Sequence, residues 1–464
     1  TTNRPAVVQV VDANPGIFNL SSGACSAADD IFQVQPTAGT TVCYTRAATP
    51  YATGKGVALF LSAASFSGFD PTGVTDSVSA VNACLTALGN TGGTCAIPQT
   101  AMVRITSANL VIPPRANLQC GLEAADITTN TDTSYLNWSH IKLASARQIE
   151  LSGKISNCLI LRDGMTFPAA DSSAFAGSAI VAYAGGAATS NVMVLGFENC
   201  FTSSGYNRIR LEGKFYADCT GTAAGYGVYL ANSFDTSYIE DVQLWPFASV
   251  GYNAGSPPDA SLQRPGTGVA TAGQSDDTYF GKILTYGYQT GMQLGSNGNI
   301  TINQLWTDYT STSPGNVVGL KTTGSLNKVQ IQSLSLLGGN SPLNLNHTTG
   351  ILSIAQAITA FSLGNNIDIN TGNLYIGQLQ TTNAVGYGVA GANTAAAYQI
   401  RVASGMSVLN GISPAIAVPL NATTETFSVN LQTDQAAGSS LYGSNNLLFP
   451  TVASAGSLAI PVNA

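Results

Sequence analysis

Along most of this chain, apolar and polar positions alternate one by one. The pattern recurs in short stretches: NVMVLGF from residue 191, NRIRLEGKF from 207, SYIEDVQLW from 237, NITINQLW from 299, NKVQIQSL from 327 and NLYIGQLQ from 373. Each opens on Asn or another turn former and continues with aliphatic residues at every second place. A period of two marks a strand with one buried face. One stretch breaks the rule. In GFDPTGVTDSVSAVNACLTALGNTGGTCAIP, residues 68–98, Val78, Val81, Leu85 and Leu88 fall at helical spacing and give a single apolar face. Asp76 is placed to serve as N-cap, and Gly92 and Gly93 to end the helix before TCAIP starts a strand. The expectation is one helix over about residues 76–89 in a chain otherwise made of strands.

Strand copies of one kind, repeated along the chain, are the mark of a solenoid. The expected fold is all-β: a right-handed single-stranded parallel β-helix whose coils stack about 4.8 Å apart. Asn at the same strand-relative position fits ladders of side-chain amides at coil corners, where Asn also tolerates left-handed backbone. A β-sandwich, the structural alternative, does not need it. A solenoid leaves its core open at both ends, so the lone helix reads as the N-terminal cap. The expected division is an irregular neck or packing segment over 1–57, the β-helix over 58–400 and a small C-terminal β region over 401–464, a candidate for oligomerisation.

Composition narrows the functional classes. Of 464 residues only 9% are charged, while 44% are hydrophobic, so the low charge does not signal disorder. A net charge of −7 with 17 dispersed Lys and Arg excludes a basic stripe for nucleic acid. No run approaches the length of a membrane span, so no membrane insertion is expected. The start, TTNRPAVVQVVDANPG, lacks a signal-peptide pattern and reads as following a removed segment or a chosen boundary. Eight cysteines form no C-x-x-C pair, which argues against a zinc ribbon or a thioredoxin-like site. Cys84 and Cys95 bracket the end of the helix, and Cys25 and Cys43 are similarly close. Disulfides and buried thiols both remain open.

The stretch from Phe69 to Pro98 resembles the opening segment of the pectate-lyase-like superfamily. There a G-D-G-x-T-D-D turn precedes a capping helix and a G-G-x-[VL]-x-x-P strand. The version DPTGVTDS is most similar to phage tailspikes and related polysaccharide depolymerases. YIEDVQLWPF, 238–247, also resembles a strand ending in W-P-F in such tail proteins. The resemblance is specific at 68–98, weaker over 190–340, and absent before about 58 and after about 400. It implies a polysaccharide substrate, a homotrimer and a place outside the cell or on a virion tail. It does not imply the reaction, because the fold hosts lyases, hydrolases, esterases, transferases and inert adhesins.

With only His140 and His347 there is little material for a histidine-based triad, and no motif calls for a metal or another cofactor. Carboxylates number 24, so clusters are informative. Aligning the strand copies puts Glu212, Glu240 and Asn303 in one column and Asp241, Lys282 and Gln304 in the next. Asp276 and Asp277 end a Gly/Pro-rich segment, 251–275, expected to loop over the same face. Glycoside hydrolysis needs one protonated and one ionised carboxyl, about 5 Å apart for retention and roughly 6.5–9.5 Å for inversion. Stacked coils supply such spacings. Glu240 and Asp241 therefore lead as catalytic candidates, with Glu212, Asp276 and Asp277 as partners; the bland alternative is that these acids are solvated or pair with Lys214 and Lys282. Trp245, Trp306, Tyr286 and Tyr288, with Lys282 and Arg210, are the candidate sugar binders. A lyase using Lys282 or Arg210 as base and a non-catalytic adhesin are the rival readings. The low charge of residues 340–464 points to burial between subunits.

Overall fold

The computed structural model describes residues 57–382 apart from 89–91, 100, 122–138, 250–258, 297, 310–316 and 365–366, together with separate strands on either side. The chain winds as a parallel β-helix with three faces. Face A carries, among others, the strands Ser178–Ala182, Asn199–Ser204, Tyr226–Ala231, Arg264–Gly273 and Tyr288–Ser296. Faces B and C are formed by single long strands that bend, such as Arg210–Cys219, Ser237–Leu244, Thr278–Tyr286 and Asn299–Asp308. Their first halves pair on face B and their second halves on face C, all in parallel.

The alternation in the sequence becomes the core. On face B, Leu211, Ile239, Phe280, Ile302, Ile331, Ile354 and Ile376 occupy one inward column. On face C, Val242, Ile283, Leu305 and Leu334 do the same. All are buried in one continuous cluster. Face A contributes an inward run of Gly227, Gly268, Gly291 and Gly319. A methyl on Gly268 would fall 2.6 Å from the Gly291 carbonyl oxygen and 2.8 Å from Thr285, so two faces approach too closely there for any side chain.

Amide contacts do form at the corners, but at two different ones. Asn191 donates to Asn157 at the bend between faces B and C, both with positive φ. Asn327 donates to Asn299 at the corner before face B. The Asn that opens NVMVLGF is thus not equivalent to the one that opens NITINQLW.

The helix runs from Val78 to Ala87 and buries Val78, Ala80, Val81, Cys84 and Leu85 against the first coils. Its expected N-cap is a correction. Ser77 holds that position without a side-chain cap bond. Asp76 instead accepts from the Thr106 N–H at 2.7 Å and from the Ser107 hydroxyl. The preceding turn is organised by Asp70, which accepts from the N–H and hydroxyl of both Thr72 and Thr75. These bonds, that from the Thr72 hydroxyl first, hold its carboxyl well below the usual range. Gly92 and Gly93 both take positive φ where the chain enters the strand Gly93–Ala96.

Cysteines pair as disulfides: Cys84–Cys95 joins the cap to the first coil, Cys120–Cys158 joins neighbouring coils, and Cys200–Cys219 crosses the core. The side chains of Cys25 and Cys43 lie outside the described residues. Two segments expected to be irregular carry strands, and one expected division falls inside a strand. Residues 7–46 hold a small antiparallel sheet of four strands rather than an irregular neck. Residues 264–273, expected as loop, are a strand of face A. The division at 400 falls inside the strand Tyr398–Val408, which pairs in parallel with Ile367–Thr382 and with Thr426–Leu431.

Candidate functional site

The bend between faces B and C places charge outside the core. In Ser237–Leu244, Ile239 and Val242 both point inward. Two residues, Glu240 and Asp241, separate them where simple alternation allows one, so both stay outside. Gly281–Lys282 and Asn303–Gln304 repeat the arrangement in the next coils. Lys214, Asp241, Lys282 and Gln304 consequently form one column in consecutive rungs, about 4.8 Å apart. The column Asp241–Lys282–Gln304 is as the sequence alignment predicts.

Glu240 is exposed and accepts the Gly213 N–H at 2.6 Å through Oε2. Glu212 does not stack on it. A bulge between Leu211 and Lys214 sets both Glu212 and Gly213 against this rung. Gly213 takes φ +62, and a Cβ there would lie 2.3 Å from Asn191 Oδ1. The Glu212 carboxylate turns away to Lys154 Nζ at 2.7 Å and Arg210 Nη1 at 3.5 Å. The hydrogen bond from Lys154 lowers its pKa, so it is unsuited to hold a proton for a leaving group.

Asp276 and Asp277 lie in the turn before Thr278, at the opposite corner of face B. Asp276 accepts the Asn299 N–H, and Asp277 takes φ +50. Thr278–Phe280 separate them from the bend by about 10 Å of extended strand. The structure does not bring them together with Glu240 and Asp241.

Aromatic residues flank the column on face C. Lys282 Nζ lies 5.6 Å from the Trp306 ring centre, and Trp306 is 39% exposed. Trp245 packs on Tyr286 at 5.9 Å and on Phe247 at 5.4 Å. Phe247 belongs to a second apolar cluster outside the solenoid, in which Ala169 and Phe175 cover Leu159, Leu161, Met193 and Leu195. That overhang ends next to Trp245. Tyr288 is a correction: it is 2% exposed, and its hydroxyl accepts the Cys219 N–H inside the core, where burial pushes its pKa up. It cannot meet a sugar.

Two features escaped the sequence reading. Asp218 and Arg264 form a fully buried ion pair. Arg264 Nη2 donates to Asp218 Oδ2 at 2.8 Å and to Ser249 Oγ at 3.1 Å, and the Ala248 N–H donates to Asp218 Oδ2 at 2.7 Å. Burial pushes the Asp218 carboxyl up and Arg264 pulls it back; the forked contact keeps it ionised. The pair ties the overhang beside Trp245 to the coils. Separated by 46 positions, its members gave no local signal. Asp308, opposite Tyr286 on the neighbouring rung, is half-buried, and burial raises its pKa. It sits four positions along the strand from Gln304, out of reach of Asp241. Among the described residues, no group of His, Cys, Asp and Glu could hold a metal.

No protein-family model matches the chain, and no curated protein sequence does. Solved structures of the pectate-lyase type resemble it at low identity. A tailspike protein of E. coli bacteriophage HK620, solved with a pentasaccharide, aligns at 12% identity and TM-score 0.37, over 89% of this chain and 80% of that one. The catalytic unit of a GH87 α-1,3-glucanase from Streptomyces thermodiastaticus gives 12% and 0.40, over 85% and 72%. The A-module of mannuronan C-5 epimerase AlgE6 from Azotobacter vinelandii gives 10% and 0.38, over 79% and 98%. At such scores the parallel β-helix rests on this chain's own rungs.

Proposed function

We propose that the protein is a tailspike-like depolymerase that hydrolyses glycosidic bonds of a bacterial capsular polysaccharide or exopolysaccharide at the bend between faces B and C. The observation that carries this reading is the outward pair Glu240–Asp241, with Asp241 between the rungs of Lys214 and Lys282 and the exposed Trp306 against Lys282. Asp241 acts as the ionised carboxylate, base or nucleophile. Glu240 engages Gly213 through Oε2 and offers Oε1 for the proton that assists the leaving group. Trp306, Trp245 and Tyr286 supply apolar ring surface for sugar C–H faces. Arg210 is committed to Glu212 and borders the site.

The test is release of reducing ends from a panel of purified bacterial polysaccharides, with Asp241→Asn alongside. Cleavage by the unmutated protein, lost in the variant, supports the reading; retained cleavage refutes the assignment. Lys214 and Lys282 on either side of Asp241 favour a second reading, a lyase in which these cations neutralise a uronate and Lys282 takes the proton. Unsaturated products absorbing in the ultraviolet would select it. Binding without any cleavage would select an adhesin.

The same reading includes a homotrimer at a virion tail or outside the cell. Ile358, Phe361 and Leu363 are exposed apolar side chains at and just beyond the end of the strand Leu343–Ala360, and the three disulfides among the described residues suit an oxidising compartment. A monomeric mass in analytical ultracentrifugation refutes the trimer.

A further inference from the structure

We propose that the outer surface of face B is a second, non-catalytic carbohydrate site, which holds an uncharged stretch of a linear glycan along the solenoid axis. Its ligand class rests on the polysaccharide reading above. Tyr238, Tyr279, Thr301, Gln330, Ser353 and Tyr375 occupy one outward column in consecutive rungs. The Tyr238 and Tyr279 rings are stacked, with centres 5.2 Å apart and planes within 8°. That separation is close to the rung spacing of about 4.8 Å, so the rings stack along the axis. Tyr238 backs Tyr279 on one side. On the other, the column drops to Thr301, a short side chain that leaves the far face of Tyr279 open.

Tyr375, 37% exposed, stands at the far end, with Arg401 as its partner in the next rung. Between the two tyrosines lie four rung spacings, about 19 Å, floored by Thr301, Gln330 and Ser353. The floor offers two hydroxyls and an amide, which donate and accept hydrogen bonds without charge. The walls offer ring faces that pack against sugar C–H groups. A pyranose is about as long as one rung spacing, so a chain of three or four sugars lying along the axis meets one floor residue per unit. Lys328 belongs to the neighbouring column, with Asn299 and the exposed Ile351, and lies beside the floor rather than in it.

The experiment separates this strip from the bend. Affinity electrophoresis through dextran, a soluble β-glucan and galactomannan is run on Asp241→Asn, which cannot cleave on the reading above. The same background carrying Tyr279→Ser with Tyr375→Ser, or Tyr279→Phe with Tyr375→Phe, is run beside it. The expected result is retardation by at least one polymer, insensitive to added salt, weakened about tenfold in the serine variant and kept in the phenylalanine variant. Unchanged retardation in the serine variant, retardation abolished by salt, or none for the parent overturns the proposal. Cleavage by the unmutated protein without tyrosine-dependent retention refutes the strip alone. Tyrosine-dependent retention without cleavage refutes the bend alone.

Discussion

Carboxylates at the capping end and at the bend are used differently. Asp70 and Asp76 are turned onto the chain itself, accepting between them from Thr72, Val74, Thr75, Thr106 and Ser107. At the bend, Glu240 accepts one backbone N–H and Asp241 stands between two lysine rungs, both outside the core. The contrast separates acids that build the fold from the acids to which the proposed cleavage assigns a role. Glu212 and Asp218, which lie within a coil of the bend, fall on the structural side with their lysine and arginine partners.

That contrast can be broken in graded steps. The largest stability loss is expected for Asp218→Ala, which leaves Arg264 buried without its partner: about 3–5 kcal/mol, read as a lower denaturation midpoint. Leu85→Ala in the fully buried face of the cap is expected to cost about 2–5 kcal/mol through the cavity it leaves, with specific activity of the folded fraction unchanged. A change in activity of that fraction would tie the cap to the bend.

A third test uses His347. Its Nε2 accepts the Asn373 N–H at 3.0 Å, so Nδ1 carries the proton and donates to Thr322 at 2.9 Å. Burial lowers its pKa. The neutral ring is favoured in the fold, so its contribution is complete above the unfolded value of about 6.5 and is lost as pH falls below it. His347→Asn should flatten the loss of stability on acidification; an unchanged slope would contradict this. The smallest effect belongs to Glu212→Gln, whose half-exposed ion pairs are worth about 1 kcal/mol or less. The acid limb of the pH–activity profile should not move. If it does, Glu212 belongs to the chemistry after all.

The coils were legible because a period of two survives on each side of the bend, and on face B it repeats from Leu211 to Ile376. The cap was legible from Val78, Val81 and Leu85. What escaped depends on single-residue offsets or distant partners. One extra residue at Gly213 moves Glu212 out of the Glu240 column, and Tyr288 falls on an inward position although Tyr286, two places before, lies outside the core. The local sequence makes Asp76 look like a cap because its partners, Thr106 and Ser107, lie about thirty residues on. The Tyr238–Tyr279 stack joins residues 41 positions apart, which only the register brings together.

The central claim is cleavage at the bend. It is tested most directly by reducing-end release from a susceptible polysaccharide by Asp241→Asn and Glu240→Gln, with folding verified by an unchanged denaturation midpoint. The account predicts a loss of about 10²–10⁴-fold for each, the range for a positioned acid or base. Wild-type rates in both variants would contradict it.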